Sequence, residues 1–411
     1  MNRPLIVLSA FESRPGAGTE AGLAWNWAQA YLALGYDVEL VTHRACVTPE
    51  SLGQWKTIGV MVTGLGDSTR FVAPTSLLSM VRSRASYAKW IKEVTVWLRS
   101  RRPDYVQHLS LSSMVLPLPS APSGTHFILG PVGGAQRAVS SALRAPSALR
   151  ESIRAAYGEV AIANRRRHFR NVSPPALALT TNGETEDLAR SLGLNPVPML
   201  VDGVDPERIA SRAREFRPGG ELKLLWAGRL VETKRPDLAV EVLCELRRQG
   251  VNASLTIIGE GAFGAKLRAT VARLGLEGHV HIAGSRAWTE MWRTYDESDV
   301  LLYHSMRDTG CVTIVEAAAR GLPVVALRHQ AVSYIVPHEV ARGPETFSTS
   351  AEFVVAAAGH VVSLLDRERY RDASAAALEF ARDCSWHEKA SAVRGLLEMK
   401  SIGTLGRGEE D

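Results

Sequence analysis

Short apolar runs alternate with stretches of helical period in both halves of the sequence, and this alternation constrains the fold most. In the first half, PLIVLSA at 4–10 and DVELVTHR at 37–44 flank LAWNWAQAYLALG at 23–35. After Gly219 and Gly220 the pattern starts again with ELKLLWAGRL, a long amphipathic stretch and ASLTIIGEG. Continuous apolar runs of this length are typical of parallel strands that are covered on both faces. We therefore predict an α/β protein with two doubly wound, Rossmann-like parallel sheets.

The length and one turn-rich segment indicate how the chain divides. A chain of 411 residues exceeds one typical core, so we expect two domains. The segment PVPMLVDGVDP at 196–206 contains three prolines and a turn-prone Asp-Gly pair, as interdomain connections often do. We place the first domain at 1–200 and the second at 201–384. An amphipathic helix at about 385–401 follows, and the polar end at 402–411 is expected to be disordered.

The composition is that of an ordinary soluble protein, with 45% hydrophobic and 22% charged residues. We find no run of about 18 apolar residues and no apolar core of a signal peptide near the N-terminus, so we expect neither a transmembrane helix nor secretion. The four cysteines are scattered, which argues against a structural zinc and for a reducing compartment. The sequence therefore predicts a cytoplasmic protein.

The net charge of +5 is modest, but the basic residues are concentrated in two regions. The stretch from Gln136 to Arg170, including both ends, contains eight arginines, and a second basic stretch from Arg82 to Arg102 includes Trp90 and Trp97. Basic helices that bear tryptophan can lie on anionic membrane surfaces. Alternatively, the charges form a solvated helical face and the aromatic rings belong to the core. No nucleic-acid-binding motif accompanies these charges, so we do not expect a nucleic-acid partner.

The segment 303–325, YHSMRDTGCVTIVEAAARGLPVV, reads as the end of a strand, a turn, a short helix and the next strand. Asp308 precedes the helix and Glu316 is expected about two turns inside it, so both carboxylates can border one crevice. Gly310 allows a ligand to approach the backbone, and the first N–H groups of the helix favour an anion such as a phosphate. An ordinary βα turn, in which Asp308 or Thr309 only caps the helix, is the alternative.

This segment resembles the nucleotide-sugar signature of retaining family 4 glycosyltransferases (glycosyl transferases group 1), which have the GT-B fold. In that signature an acidic residue, seven others and a glutamate are followed by Gly-x-Pro-Val-Val, and Asp308 matches the minority that carry Asp first. The resemblance implies that Asp308 contacts hydroxyls of the donor sugar. It also implies that the N–H groups of Thr309, Gly310 and Cys311 bind the diphosphate and that Glu316 holds the ribose.

Two glycine-rich loops resemble those of a subset of the same family. PGAGTE contains Gly16, Gly18 and Glu20, and GPVGG ends with Gly133 and Gly134. The resemblance implies that Gly16 and Gly18 approach the donor phosphate and that Glu20, Gly133 and Gly134 contact the acceptor. Glu20 can instead stabilise the first turn of the helix that follows, where acidic residues are favoured.

Three further motifs supply candidate residues. His108 ends a strand, and its placement resembles the family histidine beside the donor sugar, although a histidine there can also be a structural hydrogen-bonding group. GRLVETK resembles the family motif whose cations, here Arg229 and Lys234, neutralise the leaving diphosphate; the alternative is a pair of solvated loop charges. Gly259 and Arg286 resemble residues of nucleotide-contacting turns.

The resemblance implies an enzyme that transfers a sugar from a UDP- or GDP-sugar to an acceptor hydroxyl with retention of anomeric configuration. The two domains would face a central cleft, the C-terminal helix would complete the first domain, and neither a metal nor another cofactor would be needed. The acceptor would be a sugar-bearing or small molecule, with a lipid-linked saccharide as one option. A non-catalytic sugar-nucleotide-binding relative and another Rossmann-type nucleotide-dependent enzyme remain alternatives. One departure is the segment 327–330, which replaces the glycine-rich turn usual in the family.

Overall fold

A computed structural model describes residues 3–67, 77–109, 111, 113–134, 136, 160, 162–167, 169, 174–216, 219–307, 309–345 and 347–405. The chain divides into two compact units. The first is formed by described residues within 1–135, 155–201 and 386–411, and the second by those within 136–154 and 202–385. The chain thus leaves the first unit after Val201 and returns to it at Trp386.

The first unit is built on a parallel sheet whose described strands lie in the order β3-β2-β1-β4-β5-β6-β7. The strands are β1 (Leu5–Ala10), β2 (Asp37–His43), β3 (Met61–Leu65), β4 (Tyr105–His108), β5 (His126–Val132), β6 (Leu177–Thr180) and β7 (Pro196–Pro198). Its helices up to the crossing point are α1 (Leu23–Ala33), α2 (Pro49–Thr57), α3 (Leu77–Arg101) and α4 (Gly183–Ser191). Side chains of α1 and α3 enter two separate apolar clusters that share the residues of β1 between them, so this strand is covered on both faces.

The second unit repeats the same plan with the strand order β10-β9-β8-β11-β12-β13. The strands are β8 (Leu222–Ala227), β9 (Ala253–Ile258), β10 (Val280–Gly284), β11 (Val300–Tyr303), β12 (Val324–Ala326) and β13 (Ala341–Arg342), and their pairings are parallel. Its helices are α5 (Pro236–Arg248), α6 (Gly264–Arg273), α7 (Trp288–Glu297), α8 (Val312–Ala319), α9 (Ala331–Tyr334), α10 (Ser350–Ser363) and α11 (Arg367–Asp383).

The strand order reverses direction between β1 and β4 in the first unit and between β8 and β11 in the second. Such a reversal leaves a crevice outside the carboxyl ends of the strands, where α/β proteins bind ligands. The prediction of two Rossmann-like, doubly wound parallel sheets is confirmed. Within each unit, the loops that follow these strands are therefore the places to look for functional side chains.

Helix α12 (Trp386–Leu405) belongs to the first unit. Its buried residues Trp386, Ala390, Val393 and Leu397 recur at helical spacing and join the cluster that contains α1. The helix continues beyond the predicted end near residue 401, and residues 406–411 lie outside the described part of the chain. None of the described helices combines the length and the apolarity that a bilayer crossing requires.

Candidate functional site

The turn after β11 brings the chain to the N-terminus of α8. Cys311 is buried with φ 51° and ψ 28°, and its carbonyl oxygen accepts hydrogen bonds from the N–H groups of Ile314 and Val315. Because Cys311 has this left-handed conformation, the helix begins only at Val312. Glu316 therefore lies just over one turn inside the helix, which corrects the two turns expected from the sequence.

The other predicted residues of this turn are Asp308, Thr309 and Gly310. Asp308 lies outside the described residues. Gly310 is buried, Thr309 is half-buried, and within the described part of the chain no side chain caps α8. The predicted alternative of a Thr309 cap is therefore not what this helix shows, and the first helical N–H groups point along the axis towards the turn.

Glu316 is buried in the second unit, and each of its carboxylate oxygens accepts a hydrogen bond. The indole Nε1–H of Trp288 donates to Oε1 at 2.7 Å, and the hydroxyl of Tyr295 donates to Oε2 at 2.6 Å. Burial raises the pKa of Glu316, and the hydrogen bonds from Tyr295 and Trp288 oppose that rise. The unit thus holds an oriented carboxylate just over one turn inside α8.

Trp288 is the first residue of α7 and is itself held in place by its neighbours. The guanidinium carbon of Arg208 lies 5.7 Å from the centre of the Trp288 ring and 5.4 Å from that of Trp292. The rings of Trp288 and Trp292 meet edge to face, with their centroids 5.4 Å apart. None of the sequence motifs includes Trp288, Tyr295 or Arg208. The spacing of the aromatic residues 288, 292 and 295 on one helix was the signal that could have found two of them.

The predicted cations lie on the loop after β8, which is tied to the segment after β11. Arg229 is exposed, and the Nζ of half-buried Lys234 lies 6.0 Å from the ring centre of Tyr303, the last residue of β11. The N–H of Met306 donates to the carbonyl oxygen of Thr233 at 2.7 Å. Lys234 therefore lies beside the segment that leads into the turn before α8.

Gly259 serves the packing of two loops. It has φ 133°, and a Cβ at this position would lie 1.8 Å from the carbonyl oxygen of Gly228. Only glycine lets the loop after β9 lie this close to the loop after β8. Arg286 is exposed, and its Nη1 donates to Oγ1 of Thr294 at 2.6 Å, within its own helix region. Nucleotide contacts by Gly259 and Arg286 stay predictions.

The segment 327–330 is firmly connected to its surroundings. Arg328 is buried, and its guanidinium donates to the carbonyl oxygens of Ala341 at 2.6 Å and Val336 at 3.2 Å. His329 Nε2 lies 2.8 Å from the carbonyl oxygen of Ser305. Gln330 has φ 50° and ψ −126°, a conformation that residues with a side chain rarely adopt. The strand ends β11 and β12 are thus linked where the family usually has glycines.

In the first unit, the loop after β1 contains the predicted residues Gly16, Gly18 and Glu20. Gly16 is exposed with φ 67°, so its backbone conformation favours glycine, whereas Gly18 has an extended conformation with φ −76°. Glu20 lies in the first turn of the 3-10 helix Thr19–Gly22, as the helix-stabilising alternative expects. A Cβ on Gly22, which the sequence analysis did not single out, would lie 1.8 Å from the carbonyl oxygen of Ala17.

Gly133 and Gly134 lie at the carboxyl end of β5, against the segment after β4. Gly133 forms an isolated parallel bridge with Ser113, and its carbonyl oxygen accepts from the N–H of Met114 at 2.9 Å. Gly134 has φ 111°, and a Cβ there would lie 2.8 Å from Oγ of Ser113. The predicted tight backbone is present, and the acceptor contact stays a prediction.

His108, the last residue of β4, is completely enclosed by the first unit. Its Nδ1 lies 3.0 Å from Oγ of Ser9, and its Nε2 lies 3.0 Å from the hydroxyl of Tyr87. Burial, with a smaller contribution from the charge of Arg165, lowers the pKa of His108 to about 3. The ring is therefore neutral at pH 7, with a hydrogen-bonding group at each nitrogen. This is the arrangement of the structural alternative, and a catalytic role stays a prediction.

The basic stretches are divided between core and surface. In α3, Trp90 is fully buried and Trp97 is half-buried, so the aromatic rings face the protein, as the solvated-face alternative expects. The exposed face of α3 carries a stripe of cations at helical spacing, formed by Arg82, Lys89, Lys92 and Arg99. Arg165 is buried, and its guanidinium donates to the carbonyl oxygens of Met114 and Leu116. It fixes the fold rather than contributing to a surface, whereas Arg166 and Arg167 are exposed.

Across the described ranges, three or more His, Cys, Asp or Glu side chains do not come together in a group that could hold a metal ion. Independence from metals stays a prediction.

Comparison with known proteins identifies relatives of this arrangement. Residues 207–375 match the family model described as "Glycosyl transferases group 1". The putative colanic acid biosynthesis glycosyltransferase WcaL of Salmonella typhimurium is 26% identical over 335 residues, which cover 76% of this chain and 80% of the relative. The amylovoran biosynthesis glycosyltransferase AmsK of Erwinia amylovora is 32% identical over 146 residues, covering 34% and 35%.

Solved structures share the fold of the whole chain. Anabaena HepE, in a crystal structure with UDP and glucose, superposes with a TM-score of 0.59 at 14% identity, covering 96% of this chain and 99% of that one. Sucrose-phosphate synthase from Thermosynechococcus elongatus gives a TM-score of 0.63 at 14% identity and covers 98% and 100%. At this identity the likeness concerns the fold, which is that of GT-B glycosyltransferases.

Proposed function

We propose that the protein is a glycosyltransferase, because residues 207–375 match the family model described as "Glycosyl transferases group 1". The protein transfers a sugar from a nucleoside-diphosphate sugar to an acceptor hydroxyl with retention of anomeric configuration. The observation that carries the proposal is Glu316, an oriented carboxylate held by Trp288 and Tyr295 beside the turn before α8. A carboxylate is suited to accept hydrogen bonds from the two hydroxyls of a ribose.

The charges of the second unit support a diphosphate leaving group. Arg229 is on the loop after β8, Lys234 lies beside Tyr303, and the N-terminus of α8 follows a few residues further on. Cations and helical N–H groups stabilise phosphate oxygens, most strongly when charge develops as the bond to the sugar breaks. Such groups lower the barrier because their interaction grows from ground state to transition state.

In the proposed reaction, the bond between the anomeric carbon and the phosphate oxygen breaks, and its electron pair stays with the diphosphate. The acceptor oxygen forms the new bond to the same carbon from the same face. The acceptor proton passes to the departing phosphate oxygen. The products are a glycoside and a nucleoside diphosphate, without a metal or further cofactor.

The named activities of the relatives indicate the biological use that we propose. The Salmonella relative is named for the biosynthesis of colanic acid and the Erwinia relative for that of amylovoran, and the Anabaena structure contains UDP and glucose. We therefore propose a UDP- or GDP-sugar as donor and a growing saccharide, lipid-linked in one version, as acceptor. A cytoplasmic location is part of this proposal, since nucleotide sugars would be the co-substrates.

A thermal-shift screen tests the proposed donor class. UDP, GDP, ADP and dTDP, each with common sugar conjugates, are added to the full chain, and a ligand that binds the folded state raises Tm. We expect one diphosphate to give a clear shift that Glu316→Gln reduces. Glu277→Gln, which changes an exposed carboxylate of the same unit, is the matched control. If none of the nucleotides shifts Tm at millimolar concentration, the proposal fails and a non-catalytic relative is favoured.

The stripe of cations on α3 supports a second part of the proposal, a peripheral contact with an anionic membrane that carries the acceptor. A cluster of basic side chains on one exposed helical face is attracted to anionic lipid, and the attraction weakens with salt. Flotation with phosphatidylserine vesicles tests this contact, with Lys89, Lys92 and Arg99 changed to Gln. The control changes Lys266, Arg268 and Arg273, exposed cations of the second unit, to Gln. Equal flotation of both variants and the wild type would refute a role of the stripe.

A further inference from the structure

We infer that Trp288 is the positioning residue for Glu316 and thereby sets the affinity for the donor nucleotide. This inference rests on the proposed function, because it assigns Glu316 to the ribose. It concerns a side chain that the sequence motifs do not include. The Trp288 indole N–H donates a 2.7 Å hydrogen bond to Oε1 of Glu316.

The carboxylate of Glu316 can accept hydrogen bonds from the protein and from a ligand at the same time. Each ionised carboxylate oxygen can accept about two hydrogen bonds. Trp288 uses one position on Oε1, and Tyr295 uses one position on Oε2. The second position on each oxygen can accept a hydrogen bond from one hydroxyl of a diol, such as the 2′- and 3′-hydroxyls of a ribose. The two protein donors fix the plane of the carboxylate without filling it.

Trp288 and Tyr295 differ in the hydrogen bonds that they can form with the carboxylate. An indole N–H only donates and does not ionise, so its hydrogen bond is stronger to the ionised form of Glu316 than to the protonated one. The hydroxyl of Tyr295 can donate or accept and so tolerates both forms. Burial disfavours the ionised form of Glu316, and the hydrogen bonds from Tyr295 and Trp288 both oppose this effect. Trp288 therefore contributes, together with Tyr295, to keeping the carboxylate an acceptor, and it also fixes the direction of Oε1.

Trp288 and Tyr295 also differ in their exposure to solvent. Tyr295 is fully buried in the core, whereas Trp288 is half-buried at the start of α7, and the residues on either side of it are exposed. Trp288 is thus the donor on the solvent side of Glu316, where a ligand would arrive. Arg208 packs over its ring and Trp292 meets its edge, which restricts the indole before any ligand binds. Restriction of this kind lowers the entropic cost of binding.

The experiment compares Trp288→Phe with the wild type by titration calorimetry of the full chain with UDP and GDP between pH 5 and pH 8. Phe keeps the aromatic ring and removes the N–H. We expect Kd of the bound diphosphate to rise about 10-fold at pH 7, as loss of one hydrogen bond to a charged group implies. We also expect the loss of affinity at acidic pH to begin at a higher pH in the variant, because Glu316 takes up a proton more readily. A merely structural role for Trp288 would not move that pH.

Two controls and a double variant complete the test. Trp292→Phe removes an indole whose N–H has no hydrogen-bond partner among the described residues, and it should leave the pH profile unchanged. On a Glu316→Gln background, Trp288→Phe should have little further effect, because the two residues act through one bond. Arg208→Met, which leaves Trp288 intact but removes its stacking partner, should weaken binding in the same direction.

The outcomes separate the two proposals. If the wild type binds neither diphosphate, the proposed function fails and this inference fails with it. If the wild type binds but Trp288→Phe binds equally well with an unchanged pH profile, only the inference is overturned. If the effects of Trp288→Phe and Glu316→Gln simply add, Trp288 acts independently of Glu316 and the inference is likewise overturned. Should Trp288→Phe not fold, Arg208→Met and the double variant of Arg208 and Glu316 decide by the same criteria.

Discussion

The ammonium nitrogen of Lys389 lies 2.6 Å from the carbonyl oxygen of Leu200 and 3.1 Å from that of Val201. Lys389 is buried in the first unit, with the rings of Trp27 and Trp386 5.6 and 4.8 Å from its nitrogen. Its N–H groups thus meet two backbone oxygens, and the two aromatic rings are further favourable partners for a cation. The contact fastens α12 to the last residues of the first unit before the chain leaves it.

We predict that Lys389→Met lowers the free energy of unfolding of the first unit by about 2–3 kcal/mol, because it leaves two buried carbonyl oxygens without this donor. Chemical denaturation monitored by circular dichroism measures the change. Lys56→Met, at an exposed position of the same unit, is the matched control and should change stability by less than about 0.5 kcal/mol. Equal stability of the Lys389 variant and the wild type would show that the buried contact contributes nothing.

The sheets could be predicted because the information is local. Buried parallel strands such as β1 and β8 are short continuous apolar runs, and their spacing by helical segments fixes the βαβ pattern. The end of α8 could also be predicted, because a glycine after a short helix commonly marks its end. In the structure Gly321 has φ 62°, and the N–H of Leu322 donates to the carbonyl oxygen of Ala317.

The site could be predicted only where a residue acts through its own chain neighbours. Trp288 and Tyr295 bond Glu316 across 28 and 21 residues, and no local pattern encodes such a pairing. The start of α8 was misplaced because Cys311 has a left-handed conformation, which residues other than glycine rarely adopt. Arg165 looked like a surface charge among other arginines, but its burial follows from carbonyl oxygens about 50 positions away in the chain.

Two of the buried histidines, His108 and His304, should make the protein less stable as the pH falls. Burial lowers the pKa of His108 and of His304 to about 3 in each case, whereas an unfolded histidine titrates near about 6.5. Between these values the unfolded state binds more protons, so stability is lost as the pH falls from about 6.5 towards 3, by up to about 1.4 kcal/mol per pH unit for each histidine. Denaturant titrations at pH 7.5, 6.0 and 5.0 measure the slope.

His304 allows this prediction to be separated from loss of hydrogen bonds. Within the part of the chain that the structure describes, neither ring nitrogen of His304 has a hydrogen-bond partner, and the ring packs edge to face on Phe353 at 5.1 Å. His304→Met should therefore change stability little at pH 7.5 and stabilise the protein at pH 5.0. His108→Leu, which abandons Ser9 and Tyr87, should destabilise it at both pH values. If the stability of His304→Met fell with pH as steeply as that of the wild type, the contribution assigned to His304 would be contradicted.

Gln330→Gly should stabilise the second unit. Gln330 has φ 50° and ψ −126° and is buried, and glycine adopts this conformation without the cost, on the order of 1 kcal/mol, that a side chain incurs. The entropy that glycine adds to the unfolded chain offsets part of the gain, so Tm is expected to rise by only a few degrees. Gln330→Ala, which keeps a Cβ, is the control and should show no rise. A lower Tm for Gln330→Gly would mean that the amide of Gln330 contributes more than its backbone costs.

Lys234→Ala should lower kcat for sugar transfer by about 100-fold or more, because a cation beside the leaving diphosphate acts mainly in the transition state. Arg229→Ala should act in the same direction, whereas Lys266→Ala, at an exposed lysine of the same unit, should leave transfer unchanged. Release of nucleoside diphosphate from the donor identified in the thermal-shift screen measures the rate, with EDTA present throughout because no metal is expected to take part. If EDTA abolished transfer by the wild type and added Mg²⁺ restored it, metal independence would be refuted. If instead Lys234→Ala raised KM for the donor at constant kcat, Lys234 would bind the ground state and transition state equally, and its proposed role in departure of the diphosphate would be wrong.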